Sequence, residues 1–72
     1  GVGFPEALAR AKLGAPGAGP EVIPLLADAR APVRAEAARA LGELDVKSAL
    51  PMLDRLRQND AENVVRAEAA IA

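Results

Sequence analysis

Ala31 to Leu44 reads APVRAEAARALGEL, and the spacing of its apolar residues decides the fold. Val33, Ala37, Ala40, Leu41 and Leu44 recur at three- and four-residue intervals, which places them on one stripe of an α-helix. Pro32 suits the first turn, where its missing N–H has no helical partner and its fixed φ is already helical. Ala35, Arg39 and Gly42 fall on the opposite side, with Glu36 and Glu43 on one flank and Arg34 on the other. The stripe mixes two leucines and a valine with alanines, so this helix can approach a neighbour closely. A glycine inside a helix costs about 1 kcal/mol relative to alanine, and Gly42 therefore marks a point of close contact.

The flanking segments carry the same period. Upstream, Pro20 to Ala29 (PEVIPLLADA) restarts a helix with Val22, Leu25, Leu26 and Ala29 on one face. Pro24 lies one turn in, next to amides already short of partners, so a bend without a break is expected. Arg30 and Ala31 make a tight connection; alanine caps poorly, which leaves Asp28 as the acceptor for nearby amides. Gly14 to Gly19 (GAPGAG) is a breaker-rich linker, expected to be the most flexible interior stretch. Before it, Pro5 to Leu13 forms a short helix with a Glu6–Arg10 pair, and Gly1 to Phe4 is expected to be loose. Downstream, Asp45 is expected to cap a helix over Val46 to Arg57, in which Pro51 repeats the placement of Pro24. Asp60 caps a last helix, with Glu62 and Arg66 paired and Val65, Ala69 and Ala72 on its apolar side. The expectation is five helices, near residues 5–13, 20–29, 32–44, 46–57 and 62–72, and no strand.

The chain also repeats itself. IPLL at Ile23 to Leu26 returns as LPML at Leu50 to Leu53, and VRAEAA at Val33 to Ala38 returns at Val65 to Ala70. Leu13-Gly14 echoes Leu41-Gly42, so the first helix reads as half of an earlier unit. Residues 1–19 are then a partial repeat and linker, and 20–44 and 45–72 are repeats within a single domain. A unit of about thirty residues cannot bury its own apolar face and stacks on its neighbours into a solenoid. The fold class is all-α, an α-α superhelix of about two and a half helix-turn-helix repeats.

These motifs, IPLL, VRAEAARALGEL, Asp45, LPML and VVRAEAA, resemble short bacterial HEAT-like repeats, a type also found in phycobilin lyases. Two features depart from that pattern: Leu44 stands where a Gly usually precedes the Asp, and the turn before Val33 lacks its second acidic residue. The resemblance implies that the helices beginning at Val33 and Val65 line an inner, concave layer, with those holding Pro24 and Pro51 outside. It also implies a structural ladder in which Arg34 and Arg66 meet acidic residues of the turns, Asp28 and Asp60. A protein partner is then expected on the inner layer, at Arg10, Glu36, Arg39 and Glu43, because solenoids bind along the face that successive helices share.

Composition narrows the chemistry. The 72 residues contain no Cys, His, Trp or Tyr, so disulfides, thiolate nucleophiles and the commonest general base are excluded. The carboxylates sit among basic neighbours on polar helix faces and make neither a catalytic pair nor an oxygen cage for a metal. GAPGAG lacks the Gly-Lys-Ser/Thr ending of a phosphate loop. We therefore expect a protein-interaction or scaffold module with no enzyme activity, cofactor or metal. A net charge of −1 with mixed signs, and a single aromatic residue, argue against nucleic acid. That sets a HEAT-like DNA-binding role behind an accessory subunit related to phycobilin lyases as an alternative. No run approaches the roughly 20 apolar residues of a membrane span, and a cytoplasmic location is expected. Gly1 is not an initiator methionine, so a piece of a longer repeat protein is expected. The final helix exposes Val65, Ala69, Ile71 and Ala72 in this reading, which makes end-to-end self-association a second expected contact.

Overall fold

The computed structural model describes residues 3–14 and 17–72. They form α1 (Gly3–Lys12), α2 (Ala18–Val22) running straight into a 3₁₀ turn (Ile23–Ala27), and α3 (Ala31–Glu43). A second 3₁₀ turn (Lys47–Ala49) leads into α4 (Leu50–Asn59), and α5 (Asn63–Ile71) follows; the described residues contain no strand. This is the expected all-α repeat architecture. Helices α1, α3 and α5 pack side by side, and α2 with its 3₁₀ turn and α4 cover them as a second layer. The Cα envelope measures 29 × 25 × 14 Å, a slab two helices thick.

Both prolines occupy the first two positions of a new helical segment, Pro24 in the 3₁₀ turn and Pro51 in α4. There the missing N–H falls among donors that lack helical partners anyway. The expected bend inside a helix is replaced by a change of pitch at a segment boundary. At the chain start, α1 begins at Gly3, two residues earlier than the Pro5 start that was expected.

The glycine-rich linker is shorter than its composition implies. Gly17 adopts a left-handed φ of 76° at the head of α2, a conformation that costs glycine nothing. Ala18 and Gly19 then lie inside α2 and are buried, while Ala15 and Pro16 lie outside the described residues. A Cβ placed on Gly19 would sit 2.6 Å from Cγ2 of Val46, so the glycine permits α2 to touch the chain leaving α3.

That exit differs from the expectation for Asp45. Asp45 does not cap the following helix; it takes a left-handed φ of 54° just after α3. Its amide donates to the Gly42 carbonyl (3.2 Å) and the Val46 amide to the Leu41 carbonyl (3.1 Å), the paired bonds of a Schellman ending. Aspartate takes the position usually held by glycine, because its short polar side chain tolerates this region better than most.

The core is built from a few large side chains set among alanines. Leu8, Val22, Leu26, Leu41, Leu53 and Val65 are buried, each worth about 1.5–3 kcal/mol when taken fully from water. The stripe read from α3 holds, but its supposed polar side is also covered. Ala35 and Ala38 are buried, and a Cβ on Gly42 would lie 2.7 Å from Ala72. The small residues let α5 lie close against this side, so α3 is enclosed on two faces.

Candidate functional site

Two features concern sites: a charged ladder between the turns, and a groove at the ends of α1 and α3. The ladder starts from a local motif that both repeats share. In each, an Asp six residues before an Arg turns the chain into the helix. Asp28 Oδ1 accepts the Arg30 amide (2.9 Å), and Asp60 Oδ1 accepts the Glu62 amide (2.9 Å). The Arg of the same repeat returns to the Asp backbone: Arg34 Nη1 donates to the Asp28 carbonyl (2.8 Å) and Arg66 Nη1 to the Asp60 carbonyl (2.6 Å). Arg34 Nη1 also reaches the Ala29 carbonyl (3.1 Å). The N-cap positions of α3 and α5 are Arg30 and Glu62, neither with a side-chain cap bond. Asp60 thus holds the turn before α5 and does not cap the helix as expected, and the Arg side chains close both turns.

Between repeats, the rest of the Arg34 guanidinium crosses to the next turn. Its Nε and Nη2 donate to Asp60 Oδ2 (2.8 Å) and Oδ1 (3.1 Å), a bidentate pair. The side chains are only 17% and 5% exposed, which separates this pair from the surface ion pairs elsewhere. Arg34 holds the Asp60 carboxyl below its ordinary range, aided by the Glu62 amide and opposed by burial. The same hydrogen bonds raise the Arg34 pKa. The other two members are satisfied locally. Both Asp28 oxygens bind Arg30, whose hydrogen bonds bring its pKa down to about 2. Arg66 Nη2 donates to Asn63 rather than pairing with Glu62, because Glu62 has left the helical conformation and the i,i+4 spacing no longer applies.

The groove has a volume of about 400 Å³ and is lined by Ala11 of α1 and Gly14 just beyond it, and by Glu36, Arg39, Ala40 and Glu43 of α3 with Leu44 at its C-terminal end. Ala11 and Ala40 are buried and make an apolar floor. Arg39 and Glu43 stand on the rim, paired at 3.4 Å with side chains 61% and 71% exposed. Three of the four residues expected to contact a partner therefore lie together. The fourth, Arg10, lies apart: its Nε and Nη2 both donate to Glu21 Oε2 (2.9 and 2.5 Å), tying α1 to α2 in place of the Glu6 pair expected from spacing. Sequence reasoning did not find Gly14 or Glu21. Gly14 had a signal in being a glycine directly after a helical run, and its left-handed φ of 73° fits that position; Glu21 had none, since its partner lies eleven residues away.

Among the described residues no group of three or more Asp or Glu side chains could hold a metal ion, and no helix is long and apolar enough to cross a membrane.

Stacked helical pairs joined by an arginine that reaches from one turn to the next define an α-helical tandem-repeat protein. Its family is shown by comparison: a profile for HEAT repeats matches residues 6–72, and the chain belongs to the HEAT-repeat family. Repeats of this kind in general mediate protein–protein interaction or scaffolding. No match is found among curated proteins or among solved structures.

Proposed function

We propose that the chain is a scaffold module that binds a protein partner along the face shared by α1 and α3, at the groove bordered by Glu36, Arg39 and Glu43. The observation that carries this reading is the contrast between two kinds of ion pair. Arg34–Asp60 is enclosed and spans two turns, whereas Arg39–Glu43 is open to water on a groove with an apolar floor. Exposed pairs contribute about 0–1 kcal/mol, so Arg39 and Glu43 can exchange each other for groups on a partner at little cost. Arg10 borders the same layer and supports it through Glu21. Of the α5 residues expected to form an open end, Val65 and Ala69 are buried, so the second contact, for end-to-end self-association, falls to the exposed Ile71 with Val64.

The test is a display selection against the 72-residue chain, followed by affinity measurements on the selected partners. Arg39→Glu should weaken binding at least tenfold and Arg55→Glu, on α4, should leave it unchanged. Partners that tolerate Arg39→Glu and are lost on Arg55→Glu would place the contact on the other layer.

A further inference from the structure

Away from the groove, we propose that the open flank of α5 docks a helix of another polypeptide whose entering turn brings an aspartate to Arg66. The molecule contains the pattern for this contact, because VRAEAA occurs twice and only the first copy is covered. In that copy Arg34, Ala35 and Ala38 share one flank of α3 by their spacing. The buried Ala35 and Ala38 receive α5, while Arg34 Nε and Nη2 take both oxygens of Asp60 in the turn that leads into α5. Apolar contact and carboxylate arrive together, as one helix and the turn before it. In the second copy Arg66, Ala67 and Ala70 hold the same positions on α5, and both alanines are exposed. Ile71 and Val64 lie beyond Ala67, on the side away from Arg66.

Arg66 is held as Arg34 is, with half of its donors left over. Each Nη1 donates to the carbonyl of its own Asp, which fixes the guanidinium at the start of its helix. From there Arg34 meets a carboxylate, whereas Arg66 reaches the Asn63 side-chain oxygen through Nη2, and its Nε has no acceptor among the described residues. A guanidinium binds a carboxylate through two parallel N–H bonds, and the Asn63 oxygen takes only one. A second copy of this chain does not supply the missing group. Both Asp28 oxygens are held by Arg30, both Asp60 oxygens by Arg34, and Asp54 by Arg57 and Gln58. The side of α3 that follows Asp28 in register, Val33 and Ala37, is already buried in its own fold. The flank therefore fits a foreign helix, with small apolar residues on its touching side and a free aspartate before its first turn.

A capped peptide with the sequence of residues 59–72 carries such a turn and helix, and titrating it into the ¹⁵N-labelled chain tests the proposal. It should give saturable amide shifts at Arg66, Ala67 and Ala70. The same peptide with Asp60→Asn should bind at least about fivefold more weakly, as the loss of a charged hydrogen bond requires. That difference should vanish when the labelled chain carries Arg66→Gln. The aspartate is changed in the peptide alone, so the labelled chain keeps its fold in that comparison. No saturable shift, equal binding of the two peptides, or shifts centred on Ala35 and Ala38, where the peptide would have replaced α5, would overturn the assignment. So would α5 amides that move on dilution of the chain alone while the peptide adds nothing, since a second copy would then hold the flank. The groove is judged separately, by Arg39→Glu.

Discussion

Val33 to Ala38 and Val65 to Ala70 are the same six residues, VRAEAA, in two different surroundings. Their Val and fifth-position Ala are buried in both copies, and both Arg side chains are half-buried at a turn. The two copies part at the third and sixth positions. Ala35 and Ala38 are buried, whereas Ala67 and Ala70 are exposed. The difference lies in what packs beside each helix: α5 lies against α3 on this side. One face of the hexapeptide is therefore set by its own repeat, and the other only by a neighbour.

The largest expected effect breaks this comparison directly. Ala38→Leu forces three extra carbons into a closed interface and should cost about 3 kcal/mol, as overpacked cores do. Ala70→Leu, at the matching position of α5, should stay within about 0.5 kcal/mol, as open surface sites do. Urea melts of the two variants decide it, and equal costs would mean that α5 is as enclosed as α3.

The next effect concerns the two turns. Asp60→Ala leaves the Arg34 guanidinium without its bidentate partner and should cost on the order of 2 kcal/mol, in the range for charged hydrogen bonds left one-sided. Asp28→Ala should cost less, because Arg30 is half-exposed and can turn to water. Acid sharpens the contrast. Both carboxyls have folded pKa values below the ordinary 3.8, so their contribution is present above that value and is lost as pH falls through the folded values. The melting temperature of the native chain should therefore drop between about pH 4 and pH 2. That of Asp60→Asn should start lower and fall less over the same window; parallel curves would remove Asp60 from the acid response.

The smallest effect sits where α3 ends. Asp45→Gly removes a side chain from a left-handed position and should stabilise the chain by about 0.5 kcal/mol, the gain in the turn exceeding the added freedom of the unfolded chain. A lower midpoint in thermal denaturation would show that the Asp45 carboxylate has a role that outweighs its backbone strain.

The periodic parts of this fold were legible because they depend on neighbours three and four residues away. The helices, the α3 stripe and the close contact at Gly42 follow from such local pattern, whereas the involvement of Arg34 with the turns comes from the resemblance of its Val-Arg motif to HEAT-like repeats. What escaped depends on elements brought together from a distance. Gly19 and Val46 touch only because α2 packs beside the exit of α3, so GAPGAG read as linker throughout. Arg10 had a local partner in Glu6 by spacing, and the packing of α2 on α1 offered Glu21 instead. Asp45 read as a helix opener because aspartate favours that role, and only the backbone bonds at Gly42 and Leu41 reveal that it closes the preceding helix. Of the residues expected to contact a partner, Glu36, Arg39 and Glu43 converge because they follow one another at three- and four-residue spacing on α3; the α1 side of the groove needed the tertiary arrangement.

Arg34 has a consequence for how the chain comes apart. It donates to the carbonyls of its own turn, at Asp28 and Ala29, and to the carboxylate of the following one, at Asp60. Neither turn can open without disturbing the groups that hold the other. In repeat proteins stability is a sum of unit terms and nearest-neighbour terms, and a side chain shared in this way adds to the neighbour term. The two repeats are thereby biased to open as one cooperative unit, so amide protons in α3 and α5 should exchange with solvent through a common event rather than in sequence.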